Sequence, residues 1–164
     1  MPEAGLIVAV CTANICRSPM AEALLQHALK AQSAPLRDWR VVSAGVAASR
    51  GDSASANSVA ALKKVGLDLS GHRSQPLTPE LADRAGLILV MTESHRDMIN
   101  LLFAPAPENV FLLREFMPAG ASREIVDPYG ASLRAYETCR DEIVEAVPSL
   151  IAHLRHRTGL KEIA

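Results

Sequence analysis

Leu6-Ile7-Val8-Ala9-Val10-Cys11-Thr12-Ala13-Asn14-Ile15-Cys16-Arg17-Ser18-Pro19 decides how this chain is read. An apolar run of strand length ends on a cysteine, and the loop that follows leads at once into helical spacing at Met20, Leu24 and Ala28. Pro19 suits a first helical position and Ser18 is the expected N-cap, although Glu22 comes one residue too late for a capping box. Such a loop can curl until successive backbone N–H groups converge on one concavity, where the helix dipole also favours an anion. The concavity fits a phosphate.

A cysteine on the floor of that concavity feels the N–H dipoles and the Arg17 guanidinium, which favour thiolate over thiol and make Cys11 a competent nucleophile. Arg17 adds a planar fork able to hold two phosphate oxygens as charge redistributes. The plainer reading of Cys11 is a small buried hydrophobe at a strand end. Arg17, Ser18 and Pro19 behind it argue for the nucleophile. Cys16 either packs or forms a reversible disulfide with Cys11 that shields it from irreversible oxidation, and the second is favoured. A zinc site is disfavoured, because Cys139 lies on the apolar stripe of the last helix and no Cys/His pair near Cys11 has ligand spacing. No metal or other cofactor is expected.

Outward from this loop, strand-length apolar runs recur at Trp39 to Val42, Leu87 to Met91 and Val110 to Leu113. Between them lie helical patterns: Val59 and Leu62, ending at Gly66 as a C-cap, and Met98 with Leu101 and Leu102. The last segment is the clearest helix, with Tyr136, Cys139, Ile143, Val147, Leu150 and Leu154 on one stripe and a kink expected at Pro148. The alternation predicts a single α/β domain over the whole chain, 1–164: a four-stranded parallel sheet, helices on both faces, and a site beyond the strands' carboxyl ends.

A chain of 164 residues, 49% of them hydrophobic, can bury one sizeable core, and a net charge of -1 supplies no broad field for nucleic acid or anionic lipid. The apolar run before Cys11 is only about six residues long, without the basic flank or cleavage site of a signal peptide. No stretch approaches the roughly 20 apolar residues of a membrane span. Three cysteines are an odd number for a disulfide-stapled fold, so a reducing cytoplasm is the expected setting.

The small-residue stretch Ala44 to Ser58 reads as a loop running into a helix. Ala104 to Pro107 and Pro118 to Ser122 are also loops, the second leading to Val126, Asp127 and Pro128. His27, His153 and His156 read as solvated helix residues, and Arg155, His156, Arg157 and Lys161 as a solvated helix end whose cations suit the dipole.

Cys11-Thr12-Ala13-Asn14-Ile15-Cys16-Arg17-Ser18-Pro19-Met20-Ala21-Glu22 resembles the phosphate loop of the low-molecular-weight protein tyrosine phosphatases, and Val126-Asp127-Pro128-Tyr129-Gly130 resembles their general-acid loop. Val42 to Gly45, Leu69 to Arg73, Val90-Met91 and the long last helix extend the likeness over nearly the whole chain. The resemblance implies hydrolysis in two steps through a phosphocysteine, with no metal. It makes Cys11 the nucleophile, Arg17 and the loop from Thr12 through Ala13, Asn14, Ile15 and Cys16 the phosphate holder, and Asp127 the acid and then the base. It further implies that Asn14 and Ser43 brace the loop, Ser18 stabilises the thiolate, Tyr129 walls the pocket, and His72 joins the bracing network or is a surface turn histidine. The implied partner is a phosphorylated protein, with no nucleic acid and no membrane, and the protein a monomer or weak homodimer.

Ala13 stands where most relatives carry glycine, and Val46 to Asp52 lacks the aromatic that many tyrosine-specific relatives place opposite the acid-loop tyrosine. Ser43 to Gly51, His72 to Thr78, Thr92 to Met98 and Phe111 to Phe116 look closest to a bacterial branch that includes protein arginine phosphatases. That branch usually has threonine after the loop asparagine. Ile15, which offers no hydrogen bond and suits a phenyl ring, favours phosphotyrosine here. Arsenate reductase needs further cysteines, and none lies between Arg17 and Thr138; a non-catalytic phosphate-binding module would lack the nucleophile, arginine or acid, and all are present.

Overall fold

A computed structural model describes residues 2–159. Glu3–Cys11 forms β1, Arg17–Lys30 α1, Arg40–Gly45 β2, Ala56–Lys63 α2, Pro79–Arg84 α3, Ala85–Val90 β3, Glu93–Leu102 α4, Val110–Leu112 β4 and Leu133–Arg157 α5. The four strands make one wholly parallel sheet in the order β2-β1-β3-β4.

Alternation along β1 builds the two cores. Ile7 and Ala9 enter one with residues of α1, α2 and α5; Leu6, Val8 and Val10 enter the other, with residues of α3 and α4. Helices therefore cover both faces, as expected. From β1 the chain goes to β2 on one side and later to β3 on the other, so the order reverses at β1 and opens a crevice at its carboxyl end. Cys11 is the last residue of β1 and stands in that crevice.

Local signals explain most element ends. Gly66 takes φ +81° while Leu67 N–H donates to Leu62 O and Gly66 N–H to Lys63 O, the Schellman closure that glycine permits. Thr78 caps α3 by accepting from Leu81 N–H, with Pro79 at its first position; this short helix was not anticipated. Tyr136, Cys139, Ile143, Leu150 and Leu154 of α5 are buried, and Cys139 is core as expected.

Several expectations need correction. α1 begins at Arg17 with Cys16 in the cap position and no side-chain cap, so Ser18 and Pro19 lie inside its first turn. The Ser18 hydroxyl is engaged beneath the loop, where it cannot serve as a cap. α4 forms where predicted but buries His95 and Ile99, leaving Met98, Leu101 and Leu102, the apolar residues that marked it, exposed. The kink expected at Pro148 is not among these corrections: Pro148 lies inside α5, which continues past it to Arg157.

His153 is half-buried and stacks on Phe116 at 3.7 Å with a 10° interplanar angle; burial lowers its pKa. Arg155 is buried, whereas His27, His156 and Arg157 are exposed as expected, the last with its guanidinium also over the Phe111 ring. Lys161 lies outside the described residues.

Candidate active site

The loop after β1 turns its carbonyls outward. Cys11 O accepts from Val46 N–H, Thr12 O from Ala47 N–H, Ile15 O from Ser55 N–H and Oγ, and Cys16 O from Ser58 Oγ, while Asn14 O meets His72 Nε2 at 2.8 Å. In a trans peptide the C=O of one residue and the N–H of the next point in opposite directions. Outward carbonyls therefore direct the N–H groups of Thr12, Ala13, Ile15, Cys16 and Arg17 into the concave side, which is what an anion requires. The stretch Ala44 to Ser58 is the frame that holds this loop.

Gly45 permits the close approach. A Cβ there would stand 2.4 Å from Thr12 O and 3.0 Å from Asn14 N. No other residue lets β2 exit so near the loop.

Asn14 is the keystone on the underside. Its φ of 58° is the one non-glycine positive value among the described residues, and its side chain is wholly buried. Nδ2 donates to Ser18 Oγ at 2.7 Å and Ser43 Oγ at 2.9 Å, and Oδ1 accepts from Gln75 N–H at 3.0 Å. Because Ser18 Oγ accepts from Asn14, its own proton goes to an acceptor, with Cys11 Sγ at 3.0 Å the nearer and Ala44 O at 3.4 Å the farther. Burial pushes the nearby Glu22 carboxyl up, with the His72 charge and hydrogen bonds to Ser43 opposing.

Arg17 is buried, and its Nη1 donates to Ile125 O at 3.0 Å. Its Nη2 lies 3.6 Å from Asp127 Oδ2, and Nε is buried without a hydrogen-bond partner. The Nε and Nη2 edge is thus left to bind two oxygens of an oxyanion. Asp127 Oδ1 accepts from Tyr129 N–H at 3.1 Å, which fixes the turn that carries both residues over the cleft. Cys11, Thr12, Ala13, Ile15, Cys16, Arg17, Asp127 and Tyr129 line one cleft of about 250 Å³. Asn14, Ser18, Ser43 and His72 lie behind its floor instead. Val46 to Asp52 does not line it, so Tyr129 is its one aromatic wall.

A family model for low molecular weight phosphotyrosine protein phosphatase matches residues 6–159. The chain belongs to the low molecular weight phosphotyrosine protein phosphatase family. It is 38% identical to a protein-arginine-phosphatase of Geobacillus stearothermophilus, over 91% of this chain and 95% of that one. It is 37% identical to a probable low molecular weight protein-tyrosine-phosphatase, EpsP, of Ralstonia nicotianae, over the same shares. A solved structure of the arginine phosphatase YwlE with a phosphorylated active site serine superposes with a TM-score of 0.83 at 36% identity, covering 95% of this chain and 99% of that one.

Three features of this low molecular weight phosphatase were not legible beforehand. His95 is buried at the start of α4 and reaches Thr12 across the cleft's lip. Burial, with the Arg17 charge, lowers its pKa to about 4. Arg114 ties the acid-loop segment to α5, since its Nε donates to Ser122 O and Nη1 to Glu142 O, both at 2.7 Å. Cys16 Sγ meets Ser55 Oγ at 2.7 Å and Tyr136 Oη at 3.4 Å, and burial pushes its thiol up. Cys139 is pushed up to about 12 by burial, as befits an inert core thiol. No group of three or more His, Cys, Asp or Glu poised to hold a metal occurs among the described residues.

Proposed function

We propose that this phosphatase hydrolyses phosphotyrosine in a protein substrate through a phosphocysteine on Cys11. The observation that carries the reading is the convergence on one cleft of the Cys11 thiol, the free edge of Arg17 and the Asp127 carboxyl. Cys11 Sγ attacks phosphorus from the floor. Arg17 and the inward N–H groups hold the non-bridging oxygens, supplying the positioning and charge stabilisation that a loose phosphoryl transition state needs.

Asp127 gives its proton to the departing phenolic oxygen and then takes one from the water that attacks the phosphocysteine. The Ser18 hydroxyl, 3.0 Å from sulfur, stabilises the thiolate that attacks and later leaves. Asn14, Ser43 and His72 hold the loop's shape.

Ile15 and Tyr129 support phosphotyrosine over phosphoarginine. Both line the cleft, and an apolar side chain beside an exposed aromatic suits a phenyl ring, whereas Ile15 offers the donors of a guanidinium no acceptor. The arginine-phosphatase relative supports the second reading, hydrolysis of phosphoarginine on the same machinery. The chemistry requires Cys11 as a free thiol, which a reducing cytoplasm maintains, and that is the compartment we infer, with a monomer or weak homodimer as the working form. No helix among the described residues is long and apolar enough to cross a membrane.

Turnover of matched phosphotyrosine and phosphoarginine peptides, with Cys11→Ser as the blank, tests the reading. Preference for phosphotyrosine upholds it. Preference for phosphoarginine establishes the second reading, and turnover by Cys11→Ser overturns the cysteine mechanism for both.

A further inference from the structure

Thr12 and His95 meet at the lip of the cleft, with Thr12 Oγ1 2.9 Å from His95 Nε2. The direction of that bond follows from the other ring nitrogen. Thr92 N–H donates to His95 Nδ1 at 3.2 Å, as part of the capping box that starts α4. A neutral imidazole has one donor and one acceptor nitrogen, so an accepting Nδ1 leaves the proton on Nε2. His95 therefore donates to Thr12 Oγ1.

A hydroxyl that accepts this bond still has its own proton to place. Thr12 lines the cleft beside Cys11, Ala13 and Arg17. We propose that His95 is a positioning residue that orients the Thr12 hydroxyl as a donor to a phosphoryl oxygen of the bound substrate. This inference deepens the function proposed above and rests on the cleft being a phosphate cradle. The ring is fixed by the helix start rather than by a mobile side chain, and Glu124 Oε2 accepts from the adjacent Glu93 N–H at 2.7 Å. Arg17, Asp127 and Glu124 are the charged groups acting on the imidazole, and burial with Arg17 outweighs the two carboxylates in keeping it neutral.

The test is inorganic phosphate binding to the full chain by calorimetry, in a double-mutant cycle with wild-type histidine tautomer read by nitrogen NMR. His95→Gln keeps both the helix cap and a donor toward Thr12; His95→Glu keeps the cap but offers only acceptors there. Thr12→Val should weaken phosphate binding about tenfold or more, the size of one lost hydrogen bond to a charged acceptor. His95→Gln should recover most of the wild-type affinity. His95→Glu weakens binding in both backgrounds through its charge, but should cost about fivefold less when Thr12→Val is already present, because the hydrogen bond is then gone.

A proton on Nδ1, or additive effects of His95→Glu and Thr12→Val, overturns the inference. The failure of the underlying reading looks different: the wild-type protein itself would then bind no phosphate.

Discussion

Arg17 Nη2 lies 3.6 Å from Asp127 Oδ2, an ion pair between a guanidinium with 5% of its side chain exposed and a carboxylate with 52%. Each partner has a second commitment. Arg17 is anchored through Ile125 O and Asp127 through Tyr129 N–H, so the pair closes the acid loop over the phosphate loop without fixing either on the other alone.

An incoming phosphate dianion approaches the same guanidinium edge and is repelled by an ionised Asp127. Asp127→Ala is therefore expected to tighten inorganic phosphate binding by several-fold. It should also lower kcat by about 10²–10⁴, the usual worth of a positioned general acid, most severely for poor leaving groups. Calorimetry and a leaving-group series measured on one preparation separate the two effects, and weaker phosphate binding would show that Asp127 helps to hold the anion.

Asn14 satisfies three buried partners from a left-handed backbone position. Asn14→Ala removes all three bonds and leaves the strained φ, and should cost roughly 3 kcal/mol or more of stability. Asn14→Gly loses the same bonds but tolerates the angle, and should be about 1 kcal/mol less destabilised than the alanine variant. Urea unfolding of both variants checks the difference, and equal losses would mean that the backbone angle carries no cost.

The β1 run, the loop after it and the stripe on α5 were legible because each signal is local: an apolar run, a turn rich in small and polar residues, a period of three to four. The roles implied for Asn14, Ser18, Ser43 and His72 came with the likeness in the loop motifs; of the bonds among them only Asn14 to Ser18 is local, while Ser43 and His72 reach Asn14 from 29 and 58 residues away. His95 escaped because its partner Thr12 is 83 residues away and nothing in the pattern of α4 marks which face is inward. Ser55 and Ser58 escaped for a related reason, since a small-residue stretch reads as a loop whether it is slack or, as here, fastened to the phosphate loop. Ser18 was misread because a serine before Pro19 carries a strong local cap signal that the tertiary contact with Cys11 overrides.

His95 also gives stability a pH dependence. Its pKa is lowered from 6.5 to about 4 by burial and by Arg17, so the unfolded chain binds its proton at a higher pH than the folded one. The contribution is fully present above pH 6.5 and is lost as pH falls toward 4, amounting to on the order of 3 kcal/mol. Urea unfolding at steps from pH 7 to pH 4 should show this slope in the wild-type protein and its loss in His95→Gln. An unchanged slope in the variant would assign the effect to other groups.

Cys16 tests whether a neighbouring thiol protects the nucleophile. Its sulfur is within hydrogen-bonding reach of Ser55 and Tyr136, and burial holds it in the thiol form, so it attacks poorly unless its target is activated. Hydrogen peroxide supplies that activation. It converts the Cys11 thiolate to a sulfenic acid, which the Cys16 sulfur can displace to give a disulfide and water. Wild-type protein treated with peroxide should then regain most of its activity on addition of dithiothreitol, and intact mass should show the loss of two hydrogens. Cys16→Ser under the same treatment should gain two or three oxygens at Cys11 and stay inactive. Equal recovery of both proteins would leave Cys16 a packing residue, held by Ser55 and Tyr136 only to shape the back of the phosphate loop.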